Sequence, residues 1–263
     1  MTVTDLLAMK AASRRIVVLT CYDAIFAHLL EQAGVDVLLV GDSLNQVLAG
    51  QETTLSTTLD QMIYHAAAVH RGSPRSLVFV DLPFLTYQIS ISEAIRNAGR
   101  VLQESGAQGV KLEGGSHMAE TVSALVQRGI PVMGHLGLTP QSVHALGGYR
   151  VQGREEKGAE RLLQDAKLLE AAGACSIVLE LIPAQLATRI SQSLTIPTIG
   201  IGAGAGCDGQ VLVLHDMLGL NEQFAPKFLK HYSRLGDAVR DAVRSFAADV
   251  REGKYPDQEH SFE

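Results

Sequence analysis

The chain has 263 residues, which suits one α/β barrel of ~250 residues or one to two ordinary domains. Its 46% hydrophobic content can bury a large core, and its formal charge of -6 gives no electrostatic case for nucleic acid as a partner. No apolar run approaches the ~18 residues of a membrane helix; the N-terminal stretch around Asp5 has no signal-peptide core; and Cys21, Cys175 and Cys207 lack disulfide or metal spacing, which suits a reducing cytoplasm.

Residues 1–14 read as a leading helix or arm. Residues 16–20 are a continuous apolar strand, the form expected when both faces are buried. A helix over 24–33 follows, with Phe26, Leu29, Leu30 and Ala33 on one side and Gly34 at its end. The second strand, 37–41, leaves Asp42 and Ser43 at its tip. After a Thr-rich polar loop, Thr57 with Asp60 three residues on predicts a helix start, and the helix runs to about residue 70. The third strand, 77–81, finishes on Asp81. Ser90 and Glu93 have capping-box spacing, and the helix they open turns Ile91, Ile95, Ala98, Val101 and Leu102 inward. In the fourth strand, 110–113, Val110 and Leu112 share one face and Lys111 and Glu113 the other. Two ionised residues on one strand face make sense if that face looks into a site.

A helix over 118–128 leads to the fifth strand, 132–135, which ends at His135. Residues 136–156 are Gly-rich and without periodicity, a length of loop that usually marks function or mobility. A helix over 158–172, a sixth strand over 176–180 ending on Glu180, a helix from Pro183, and strands over 196–201 and 210–214 complete the count. Residues 227–250 read as one long amphipathic helix, with Phe228, Tyr232, Leu235, Val239, Val243, Phe246 and Val250 at steps of three and four. The tail, 254–263, is polar. Small-residue–Gly helix ends that feed an apolar run finishing on a carboxylate recur at 33–42, 105–113 and 172–180. Repeats of this unit build a parallel sheet wrapped in helices. Eight strands give a single (βα)8 TIM barrel domain over 1–263; a doubly wound sheet is the alternative.

Asp42, Asp81, Glu113 and Glu180 each end a predicted strand, so in a barrel all four crowd the C-terminal mouth, where barrels place their chemistry. Such carboxylates repel one another unless a charge offsets them. A hard divalent cation such as Mg2+, which takes oxygen ligands and keeps positions open for substrate, is the usual answer. Lys111 adds a fixed positive charge and His135 a possible donor. Any one acid could instead serve an ion pair or a helix cap, Lys111 could simply pair with Glu113, and a lone His is more often a hydrogen-bonded core residue. Gly200 to Gly204, GIGAG, could cradle a phosphate or only form a tight barrel-top turn; it lacks the GxGxxG spacing of a dinucleotide loop.

The segments GDSLNQVLAG (41–50), DLPF (81–84), VKLEGG (110–115), GHLGLTPQSV (134–143), GGYRVQGR (147–154), and IGIGAG with CDGQVLVLHD (199–216) resemble the ketopantoate hydroxymethyltransferase family. The resemblance runs nearly the whole chain, to the EHSF of the tail. It implies a (βα)8 barrel of the phosphoenolpyruvate/pyruvate type, assembled as a homo-oligomer, decameric in known members, in the cytoplasm. It implies transfer of a hydroxymethyl group from 5,10-methylenetetrahydrofolate to C3 of 3-methyl-2-oxobutanoate in pantothenate synthesis. By the same resemblance Asp42 and Asp81 match the Mg2+ ligands and Glu113 the third acid of the metal site. Ser43, Lys111 and His135, together with Asp42 and Asp81, match the residues that hold the oxo-acid, and Glu180 matches the general base. Glu52, Ser56 and His144 depart from the usual pattern, in the loop after Asp42 and in the loop after His135. The alternative is a Mg2+-dependent lyase of the same superfamily; such lyases commonly carry a Cys on a mobile loop, and 136–156 has none.

Overall fold

The computed structural model describes residues 1–262. Eight strands form a closed barrel: β1 (Ile16–Thr20), β2 (Val37–Val40), β3 (Leu77–Asp81), β4 (Gly109–Glu113), β5 (Val132–Gly137), β6 (Ser176–Glu180), β7 (Thr198–Ile201) and β8 (Gly209–Leu212). Every neighbouring pair is parallel, and β8 pairs back onto β1. This closure removes the doubly wound alternative. The strands are short and apolar because both of their faces are covered, one by the barrel interior and the other by helices.

The interior below the mouth is one cluster that includes Val18, Val37, Leu39, Phe79, Met133, Val178, Ile199 and Val211. Gly109 sits beside Phe79 in the ladder, and a Cβ there would lie 2.4 Å from the Phe79 ring. The missing side chain is what lets the aromatic ring fill that layer. Leu6 and Met9, on the helix Val3–Ala11, belong to the same cluster, so the leading helix closes the barrel at the end away from the mouth. Its Lys10 donates to the carbonyls of Ser191 and Ile196, both at 2.8 Å, and pairs with Asp208 at 2.9 Å. The long interval after β5 is partly built: a 3-10 turn at Pro140–Ser142 and a short helix at Val143–Leu146, with Leu138, Gln141 and Val143 buried.

The structure moves some predicted boundaries and faces. The helix Leu59–Gly72 starts one residue later than the Thr57 signal: Thr58 is the N-cap, with Gln61 completing the box. On the helix Ile91–Ser105 the inward residues are Ala94, Ala98, Val101 and Ser105, a stripe rotated toward small side chains that allow close approach. On the helix Ala24–Gln32, Ala27 and Leu30 are buried while Leu29 is half exposed.

Met1–Val213 make one compact unit and Leu214–Glu263 a second. The second contains a short helix, Leu214–Met217, and the helix Leu235–Arg251. Residues 227–234 are not helical, so Phe228 and Tyr232 lie outside the helix that the spacing suggested. Arg240 pairs with Glu222 and Asp237, and the Phe246 and Tyr255 rings meet edge-on at 5.5 Å. Val239, Val243, Phe246 and Val250 are exposed in the single chain.

Candidate active site

Parallel strands in register deliver the charged residues side by side. The ladders pair Asp81 with Lys111, Glu113 with His135, and Gly137 with Glu180. Asp42 lies two residues beyond the end of β2, and its backbone N–H donates to Asp81 Oδ2 at 3.1 Å. Asp42, Asp81, Lys111, Glu113 and His135 are all buried, whereas the Glu180 side chain keeps 16% of its surface open to the mouth. In the closed order of eight strands, β6 lies opposite β2, so Glu180 and Asp42 face each other across the opening.

Lys111 Nζ stands 3.0 Å from Asp81 Oδ1 and 3.1 Å from His135 Nδ1. His135 Nδ1 is 3.4 Å from Glu113 Oε1, and its Nε2 is 3.2 Å from Glu180 Oε2. Five of the charged residues singled out in the sequence, Asp42, Asp81, Lys111, Glu113 and His135, thus form one connected group that reaches the sixth, Glu180. Ser43, the residue after Asp42, is half-buried, and its Oγ is 2.8 Å from the Tyr22 hydroxyl.

Burial dominates the electrostatics. It raises Asp42 well above the usual carboxylate range, and the neighbouring Asp81 and Glu113 charges raise it further against Lys111 and Gln141. Burial also raises Asp81, though Lys111 and the Asp42 N–H work the other way. For Lys111, burial opposes the charge, but Asp81, Glu113 and Asp42 overcome it and the pKa rises. For His135, burial and Lys111 oppose protonation; contact with Glu113 and Glu180 outweighs them and lifts the pKa to about 9. All three cysteines are free and buried, and burial pushes Cys21 and Cys175 up to about 12, so they pack and do not react.

Two residues that strand-end reasoning missed tie the group together. Gln141 Nε2 donates to Asp42 Oδ2 and to the Leu82 carbonyl, both at 2.9 Å, and its backbone N–H donates to Glu113 Oε2 at 3.0 Å. The Tyr87 hydroxyl donates to Gln141 Oε1 at 2.7 Å and accepts from the Glu113 N–H at 3.1 Å. At the rim, Gln46 Nε2 donates to the Tyr149 hydroxyl at 3.3 Å.

The donor set fits a hard divalent cation. Asp81 Oδ1 and Glu113 Oε1 are buried oxygens that accept no aligned hydrogen bond. Asp42, Asp81, Glu113 and Glu180 outnumber Lys111 and His135, so the mouth carries surplus negative charge. Among the described residues no three His, Cys, Asp or Glu side chains already converge on an ion. That is compatible with an ion held by one or two carboxylates, with water and substrate completing its shell.

A closed parallel barrel with acids at the C-terminal strand ends is an enzyme architecture, and solved structures share the fold. The crystal structure of 2,3-dimethylmalate lyase, a PEP mutase/isocitrate lyase superfamily member, superposes with a TM-score of 0.60 at 19% identity, covering 98% of this chain and 91% of that one. Phosphonopyruvate hydrolase in complex with oxalate and Mg2+ gives 0.64 at 13% identity, covering 99% and 93%. The ketopantoate hydroxymethyltransferase family model matches residues 1–258. The 3-methyl-2-oxobutanoate hydroxymethyltransferase of Pelobacter propionicus is 55% identical over 261 residues, covering 99% of this chain and 97% of that protein. Its counterpart in Geobacter metallireducens is 52% identical over 261 residues, covering 99% and 98%. The chain belongs to the ketopantoate hydroxymethyltransferase family.

The raised His135 pKa has a signed consequence. A histidine raised from ~6.5 contributes stability that is complete below that pH and is lost as pH rises through about 9. Urea unfolding without divalent cations is expected to show wild type losing stability between pH 6.5 and 9, and His135→Gln losing clearly less. Parallel curves for the two proteins would contradict the assigned charge state.

Proposed function

We propose that the chain transfers a hydroxymethyl group to C3 of 3-methyl-2-oxobutanoate, with 5,10-methylenetetrahydrofolate as carbon donor, at the mouth formed by β2 to β6. The observation that supports this best, beside the family match, is the separation of roles across the opening. Buried acids, Asp42 and Asp81, stand on one side, and a partly open carboxylate, Glu180, stands opposite.

In this reading Asp42 and Asp81 hold Mg2+, with Glu113 as the third acid of the set. When bound, the cation supplies Lewis-acid charge beside the keto oxygen and lowers the cost of ionising the adjacent C3–H. Ser43, Lys111 and His135 hold the oxo-acid: Lys111 offers its charge to the carboxylate, and His135 offers its Nε2–H at the same rim as Glu180. Glu180 takes the C3 proton. It is suited to this because it alone of the four acids keeps contact with the open mouth, where a substrate C–H can approach. The resulting C3 carbanion bonds to the donor's methylene carbon as one of that carbon's two bonds to folate nitrogen breaks. The second breaks as water adds its oxygen to the same carbon. The two folate nitrogens take up the proton from C3 and the one from water, leaving the hydroxymethyl product and tetrahydrofolate. Burial of the remaining charges keeps them fixed and strengthens their effect on the developing negative charge.

The lyase alternative gains nothing from the superposed lyases and mutases, because likeness at 12–19% identity speaks for the fold alone. The interval after β5 also has no cysteine.

The proposed roles separate by experiment. A positioned base contributes about 10²–10⁴-fold. Glu180→Gln is therefore expected to bind Mg2+ and oxo-acid yet lose C3–H exchange into D2O by that factor, followed by NMR without folate. Asp81→Ala is expected to lose both binding and exchange. Wild-type exchange in Glu180→Gln would remove Glu180 as the base.

The reading includes a homo-oligomer, supported by the exposed apolar stripe of Val239, Val243, Phe246 and Val250. Val243→Asp is expected to lower the particle mass in light scattering. An unchanged mass would take this stripe out of the interface.

A further inference from the structure

Gln141 is buried, and its side-chain amide uses its full bonding capacity. Nε2 donates twice, to Asp42 Oδ2 and the Leu82 carbonyl, and Oε1 accepts twice, from the Tyr87 hydroxyl and Gln88 Nε2. An amide with both donors and both acceptors engaged has one orientation and no spare rotamer. Its backbone N–H, donating to Glu113 Oε2, adds a second acid to the same residue. The contacts run in a chain: Lys111 to Asp81, Asp81 to Asp42, Asp42 to Gln141, Gln141 to Glu113, and Glu113 to His135. Every other member is a titratable residue on a barrel strand or just beyond one. Gln141 is the one neutral member, and it comes from the 3-10 turn after β5.

We propose that Gln141 is a positioning residue for the acids of the cation site. By engaging Asp42 Oδ2 and Glu113 Oε2 it leaves Asp42 Oδ1 to a cation and keeps Glu113 Oε1 facing His135 Nδ1, and it prevents either carboxylate from swinging to an outward pose. Tyr87 acts one step behind, holding Gln141 Oε1 and the Glu113 backbone N–H with a single hydroxyl. The turn that begins the long interval after β5 is therefore part of the metal-holding apparatus. This inference rests on the reading of Asp42, Asp81 and Glu113 as the acids of a divalent-cation site.

The test is Mg2+ titration by calorimetry into the full chain with 3-methyl-2-oxobutanoate present and no carbon donor, so that nothing turns over. Partners that orient metal ligands typically change affinity about 10–100-fold when removed. Gln141→Met keeps the volume and the backbone N–H but loses the amide; it is expected to bind Mg2+ about tenfold more weakly or worse. Its melting temperature in EDTA serves as the control for a merely structural role, which would lower that temperature and leave the affinity of the folded protein unchanged. Tyr87→Phe is the second variant, expected to weaken Mg2+ binding about threefold, the scale of one hydrogen bond. Wild-type affinity in folded Gln141→Met overturns the proposal; if that variant does not fold, wild-type affinity in Tyr87→Phe does so instead. Absence of Mg2+ uptake by the wild type overturns the cation-site reading and this inference with it.

Discussion

Buried like charge is the constraint on which this structure turns. Asp42, Asp81 and Glu113 are each about 95% shielded from water, and Glu180 is close behind them. Burying even one unpaired carboxylate is costly. The fold meets that cost by register: the parallel ladder sets Lys111 beside Asp81 and His135 beside Glu113, so each cation arrives already adjacent to its acid. Burial still raises Asp42, and the neighbouring Asp81 and Glu113 charges add to it. The unmatched charge is the physical reason to expect a cation at this mouth, and the proposed chemistry uses the same imbalance.

The rest of the barrel holds that group still. The closed sheet fixes the strand ends, Phe79 over Gly109 fills the layer beneath, and Leu6 and Met9 seal the far end. Gly137 makes room at the rim: its φ of +95° and its approach to the Glu180 carbonyl, 2.1 Å from where a Cβ would stand, let the chain leave β5 hard against β6. That close passage carries the following turn inward, where Gln141 meets Asp42. Tight packing below and a neutral amide clamp above leave Glu180 as the acid with room to reach a substrate.

The strands were legible in the sequence because a strand buried on both faces reads as an uninterrupted apolar run, and a polar residue at its end stands out against it. Asp42, Asp81, Glu113, His135 and Glu180 were found that way, and Lys111 by its alternation with Val110 and Leu112. Gln141 and Tyr87 were not, because each lies in a loop where nothing local distinguishes a buried hub from a solvated polar residue. Their roles depend on contacts over 54 residues, from Tyr87 to Gln141, and 99 residues, from Asp42 to Gln141. On Ile91–Ser105 the expected Ala98 and Val101 are buried, but Ala94 and Ser105 take the places expected of Ile91, Ile95 and Leu102: hydrophobicity favours large side chains, while close packing between elements selects small ones. The helix Leu235–Arg251 begins later than its apolar spacing suggests, since periodicity alone carries no stop signal and residues 227–234 are irregular.

The central claim, that surplus buried charge at the mouth is what a divalent cation answers, is tested most directly by thermal unfolding of Asp42→Asn beside wild type, with and without Mg2+. Asn retains an oxygen to accept from Gln141 Nε2 while removing one negative charge. Without cation, Asp42→Asn is expected to melt at a higher temperature than wild type, because repulsion is relieved. Added Mg2+ is expected to raise the wild-type midpoint, as any ligand selective for the folded state does, and to leave the variant nearly unmoved. A variant that melts lower than wild type and responds to Mg2+ as fully as wild type would contradict the account.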